Sequence, residues 1–435
     1  MKSKKVLSLV ATVVLISGVL AGCSSKSGGS SSGTKSKEVK ITMLNSKGEI
    51  QSQLEDAAKE FKKTNPNIKL DVVVTGNGQS PFEKISAMYA SGNAPTLAML
   101  DPTDIIKLND KFEDLSKQKW IADTVDNSLD TIKTSDGKVP AFPFTIEGAG
   151  FIYNKTILDK AGVDPASIKT LNDLKSAFDK IKAKGSEALA ICSADWSLAG
   201  HFLSIAYADQ SNDPAKVNEF FDQLKAGKVD LTKNKPFNGL IDTFDVMKKY
   251  NIDKKDPLSA TYENNQQQVG TGKVAFWFNG NWAWPQIKQF AGDNDNFGFI
   301  PVPVSNNASD YGNSGIPAGV TKYIGVDNTT STKAQKAAAE KFLNWIVYDK
   351  NGQDFLVNKS NIIPAFKNIT LEPSSALAKS IKQYIKDGKT IQFITTTPSD
   401  HWSKVGVSMQ KYLASKIDRA ELAKEIQNYW KNVGK

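Results

Sequence analysis

The chain has 435 residues and a formal net charge of +9, too long for one hydrophobic core and long enough for two lobes. The basic excess does not point to nucleic acid, because Arg419 is the only arginine and bidentate readout of guanine or phosphate relies on that side chain. Two cysteines and two histidines exclude a disulfide framework and a His-rich zinc site, so no cofactor and no metal are expected.

Lys2, Lys4 and Lys5 open the chain, and the apolar run from Val6 to Leu20 is shorter than a membrane span. Leu20-Ala21-Gly22-Cys23 resembles a bacterial lipobox. That resemblance implies cleavage before Cys23 (signal peptide 1–22), acylation of its thiol, and a mature protein anchored outside the cell membrane without spanning it. Residues 23–38 are rich in Ser, Gly, Thr and Lys and read as a flexible tether.

Val39 to Met43 alternates like a strand, and Ile50, Leu54, Ala57, Ala58 and Phe61 recur at helical spacing. A second strand over Ile68 to Val74, a helix around Phe82 to Ala90 and a short strand over Leu97 to Leu100 follow. This β-α-β-α-β order predicts a parallel sheet with its strand ends on one edge. Asn45, Asn77 and Asp101 stand at those ends, as turn formers or, taken together, as a polar binding rim. The pattern breaks at Pro140 to Gly150, a lobe crossing is read at about Ile146 to Phe151, and Glu147 within it is either a ligand contact or a solvated hinge residue. A helix then begins near Thr170, and the strand-like Ala188 to Cys192 empties into Trp196.

Val274 to Phe278 is an unbroken apolar run and predicts a strand buried on both faces. Asn279-Gly280-Asn281 ends it, and Trp282 and Trp284 open a helix with Pro285 in its first turn. Trp277 is read as core. Trp282 is read as a platform for the C–H face of a sugar, with Asn281 serving hydroxyls as donor and acceptor. Later segments cross back near Tyr311 to Gly319 and again near Asn358 to Pro364, and Asp400, His401 and Trp402 precede a helix near Val405. The expected division is lobe 1 over 39–146 and 309–360, and lobe 2 over 147–308 and 361–435. No HExxH or G-x-S-x-G motif occurs.

From Val39 onward the chain resembles the family 1 extracellular solute-binding proteins of bacterial carbohydrate ABC importers, the maltose-, raffinose- and multiple-sugar-binding lipoproteins. GKVAFWFNGNWAW, FIYNK with AGVDP after it, SGIPAG and DHW carry the resemblance. It implies a two-lobed α/β fold with several hinge crossings, no enzymatic activity, an oligosaccharide ligand, delivery to permease subunits, and a monomer. Carried over, Trp196, Trp282 and Trp402 match stacking aromatics, and Asn45, Asp101 and Glu147 match polar contacts. Asp400-His401 before Trp402 is similar to the raffinose and isomaltose type and leans toward α-1,6-linked galactosides or glucosides. The alternatives are an exported lipoprotein glycosidase, whose carboxylates need no fixed spacing, and a binder of non-sugar solutes.

Overall fold

The computed structural model describes residues 38–76 and 79–433. Cys23 and Asn77 lie outside them. Nine strands form one mixed sheet: β1 (Val39–Asn45), β2 (Ile68–Val74), β3 (Leu97–Leu100), β4 (Ala141–Asn154), β5 (Glu187–Ala190), β6 (Val274–Gly280), β7 (Phe297–Ile300), β8 (Ile316–Val326) and β9 (Thr390–Gln392). The order is β2-β1-β3-β8-β4-β6-β5, with β7 on β4 and β9 on β8. As the β-α-β-α-β order requires, β1 runs parallel to β2 and to β3.

β4 and β8 are long because each belongs to both halves. The first half of β4 pairs with β8, from Ala141 opposite Gly325 to Gly148 opposite Ala318. Its second half pairs with β6 and β7 instead. Near the changeover the β4–β8 register slips twice, between Pro143 and Thr145 and between Thr145 and Ile146. There the Ile146 amide donates to the Ile363 carbonyl at 2.9 Å, so a third segment passes the same point. β6 runs two residues past the apolar stretch, because Asn279 and Gly280 still find partners in Gly150 and Ala149.

The helices cover the sheet as their spacing dictates. Gln51–Thr64 buries Leu54, Ala57, Ala58 and Phe61. Leu171–Ala183 starts where the Thr170 hydroxyl accepts from the Asp173 amide, buries Leu174, Ala177, Phe178 and Ile181, and stops before Gly185 at φ +81°. Lys333–Tyr348 opens on a capping box of Thr332 and Gln335. Each fully buried Leu or Phe contributes about 1.5–3 kcal/mol, and these side chains gather in separate groups. One surrounds β1 to β3 with Phe61, Trp120, Phe142 and Phe342. Another surrounds β5 and β6 with Phe178, Phe202, Phe276 and Trp430. A smaller one, with Ile146, Trp277, Ile316, Ile363 and Ile381, lies at the crossing.

Candidate functional site

β5 and β6 run parallel, so their carboxyl ends open at one edge of the sheet, where α/β folds bind ligands. Beyond β5 the chain enters a π-helical turn, Trp196–Phe202. Its wider repeat brings side chains five apart together: the Trp196 and His201 rings meet with centroids 5.4 Å apart. Beyond β6, the 3-10 turn Asn281–Ala283 presents Trp282, 4.9 Å from the same imidazole. Trp402, in the first turn of helix His401–Leu413, lies 5.8 Å away, and Phe393 5.5 Å. Tyr262 completes the group by touching Trp196 at 5.6 Å. The three indoles, His201 and Tyr262 are all half-buried.

Two glycines make the group possible. A Cβ on Gly280 would lie 1.9 Å from Trp282 Cζ3, so that indole folds back over a bare backbone. A Cβ on Gly200 would lie 2.8 Å from Trp402 Cε2. Trp284, by contrast, is buried against Phe297 and belongs to the core.

Facing this group are charges that pair among themselves. Lys47 Nζ sits 2.6 Å from Glu147 Oε1 and 2.6 Å from Glu49 Oε1, with Lys47 and Glu147 nearly inaccessible. The Thr321 hydroxyl donates to the other Glu147 oxygen. Burial alone would raise the Glu147 carboxyl; the Lys47 ammonium and the Thr321 hydroxyl outweigh it and hold it below the ordinary glutamate range. Burial likewise opposes the Lys47 charge, and its two carboxylates reverse the effect and raise it. Lys322 Nζ meets Asp101 Oδ1 at 2.7 Å. His201 responds to the same surroundings: burial lowers its pKa to about 4, against the pull of Glu147 and Asp101, so the ring is neutral near pH 7.

Of the residues singled out in the sequence, Trp196, Trp282 and Trp402 gather on His201, and the charges of Glu147 and Asp101 reach the same imidazole. Asn45 does not face it. It is fully buried, donating from Nδ2 to the Lys47 carbonyl and Gln51 while its Oδ1 accepts from the Lys47 amide at 2.8 Å, so it shapes the turn that delivers Lys47. Asn281 is 2% exposed, and its Oδ1 accepts from the Gly148 amide, tying the Trp282 turn to β4. Asp400 and His401 point elsewhere, because successive helical residues diverge by about 100°. Asp400 accepts from the Tyr429 hydroxyl at 2.8 Å on the exposed side. His401 is buried between Tyr207 and Trp430, with Nε2 3.2 Å from the Tyr207 hydroxyl.

The halves also touch at the mouth. The Thr103 hydroxyl, after β3, donates to the carbonyls of Thr395 and Thr397 at 2.8 and 3.1 Å, and Lys107 reaches Ser399. His201, Lys47, Tyr262, Thr321 and Lys322 were not predicted. A lone His inside Leu198-Ala-Gly-His-Phe-Leu reads as core, and only the π-helical turn brings it over Trp196.

A family model described as bacterial extracellular solute-binding protein matches residues 56–402. The melibiose/raffinose/stachyose-binding protein MelE of Bacillus subtilis (strain 168) is 25% identical over 295 residues, 67% of each chain. A maltooligosaccharide ABC transporter solute-binding lipoprotein of Streptococcus pneumoniae (strain ATCC BAA-255 / R6) is 27% identical over 379 residues, 84% of this chain and 81% of that one. The structure of the solute-binding protein RafE in complex with raffinose superposes with a TM-score of 0.74 at 18% identity, covering 90% of this chain and 99% of RafE. That likeness shows the two-lobed fold.

Proposed function

The chain belongs to the bacterial extracellular solute-binding proteins, and on that premise we propose that it is a lipid-anchored sugar-binding protein of an ABC importer. It captures an oligosaccharide between its lobes and hands it, as a monomer, to the membrane permease, with no bond made or broken. The observation that carries this reading is the convergence of Trp196, Trp282 and Trp402 on one imidazole beyond β5 and β6. Indole faces stack on the C–H faces of sugar rings, and the opposing Glu147, Asp101 and Thr321 supply oxygens for hydroxyls. Glu147 and Asp101 come from the strand edge and crossing, Trp196, Trp282 and Trp402 from the far half, so a ligand touching both sets favours the closed arrangement by its extra affinity for it.

The leaning toward α-1,6-linked galactosides is supported by MelE, named for melibiose, raffinose and stachyose, and by the raffinose bound in RafE; it no longer rests on Asp400 or His401. Lipid attachment at Cys23 is supported by the lipobox and by the lipoprotein relative. Calorimetry against raffinose, stachyose, maltotriose, a tripeptide and zinc tests the reading: heat of binding from the peptide or metal alone would overturn it. New reducing ends on incubation with those sugars would reveal a glycosidase instead. Cys23→Ala protein is expected to fold and bind but carry no lipid by mass spectrometry.

A further inference from the structure

Resting on the sugar-binding reading above, we infer that His201 is the specificity-determining residue of the aromatic wall: its neutral imidazole hydrogen-bonds a hydroxyl of an uncharged saccharide unit seated among the three indoles. The ring is met edge-on by Trp196, Trp282, Phe393 and Trp402, with interplanar angles of 64°, 62°, 77° and 76°. Such packing fixes its orientation while leaving it half-buried at the cleft. Among the described residues nothing hydrogen-bonds either imidazole nitrogen; the hydrogen bond at this residue beyond its helix comes from the Ser204 hydroxyl to the His201 carbonyl. Neither nitrogen is a buried orphan, so both reach solvent and a ligand hydroxyl would take the place of water there. Neutral imidazole offers one donor and one acceptor; sugar hydroxyls can use both, whereas an ionised carboxylate can use only the donor.

The surrounding charges point the same way. Lys47 is held by Glu147 and Glu49, and Lys322 by Asp101. Among the described residues, the two lysines whose charge reaches His201, Lys47 and Lys322, are both paired with carboxylates, so an acidic sugar drawing on either would have to break one of these pairs. The π-helical turn has a purpose in this scheme, because it seats His201 over Trp196 while Gly200 lets Trp402 close the other side. A saccharide resting on an indole therefore brings its hydroxyls to the imidazole.

The experiment is calorimetry of the full chain and of His201→Phe, which keeps an aromatic ring and removes both nitrogens, with raffinose, stachyose and maltotriose. For the sugar the parent binds most tightly, His201→Phe is expected to bind about 10- to 100-fold more weakly at an unchanged melting temperature, the worth of one lost hydrogen-bonded group. Equal affinity within about twofold would overturn the inference and leave the sugar reading standing, whereas a parent that binds none of the three sugars would overturn both. Imidazole nitrogen spectra of the parent provide a measurement that needs no variant to fold. With only two histidines in the chain, His201 signals should move on saturation with sugar while those of His401 stay; an unmoved His201 would also overturn it.

Discussion

The two walls of the cleft are built on opposite terms. The wall from β5, β6 and helix His401–Leu413 is aromatic, shaped by bare glycines, and holds one imidazole that has no hydrogen-bond partner among the described residues. The wall from β1, β4 and β8 is ionic, and its charges are paired with one another. Paired charges in a dry crevice contribute shape and orientation more than attraction, since separating them costs more than a hydroxyl returns. On the proposed function, ligand contact energy therefore belongs mainly to the aromatic wall, and integrity of the crossing to the ionic one.

Breaking the ionic wall should have the largest effect. Lys47→Met leaves the Glu147 carboxylate buried with Thr321 as its remaining partner, and a loss of about 3–5 kcal/mol in unfolding free energy by denaturant titration is expected. An unchanged midpoint would show that the pair is hydrated.

Acid should act next, on the core behind the aromatic wall. Glu147 is held below its ordinary value and keeps its charge, whereas burial depresses the pKa of His401 from 6.5 to about 3. Between those values the unfolded chain binds the proton and the folded one does not. Stability from this site is therefore full above the unfolded value and lost as pH falls toward the folded one, about 2 kcal/mol of it by pH 5. His401→Phe, which leaves the Tyr207 hydroxyl its bond from Trp430 Nε1, should reduce that slope in melts from pH 7 to 5, leaving the part that His201 contributes. An identical slope in parent and variant would refute the assignment.

A smaller change sharpens the aromatic side. Gly280→Ala puts a methyl where the Trp282 indole lies, so that ring must move, at about 1–3 kcal/mol of overpacking and with weaker sugar binding. Unaltered affinity would mean that Trp282 is not a platform. Smallest of all, Thr103→Val removes two bonds across the mouth and should cost about 1 kcal/mol of closure. Small-angle scattering of the ligand-free protein should then show a larger radius of gyration, and an unchanged one would count against a closing role.

How legible this was in the sequence differs between the walls. Period and order gave the parallel β1 to β3 unit and the buried β6, and the position just after a strand is what brings Trp196 and Trp282 to the same imidazole. Adjacent residues in DHW could not be separated without a helical phase, and that phase sends Asp400 to Tyr429 and His401 into the core. Asn45 was assigned to the rim from position alone, yet its amide is spent on its own turn. The ionic wall was least visible, since Lys47 and Glu147 are 100 residues apart and nothing local marks them as partners.

The double register slip in β4 has a mechanical consequence. A hydrogen-bonded sheet resists bending along its strands, so compliance concentrates where β4 gives up its regular ladder, between Pro143 and Ile146. On the two-lobed reading proposed above, a rotation at that point would leave the Glu147–Thr321 bond beside it least disturbed and would move the Thr103–Thr397 contact, far from the slips along the chain, the most. A small angle at the crossing would thus become a large displacement at the rim.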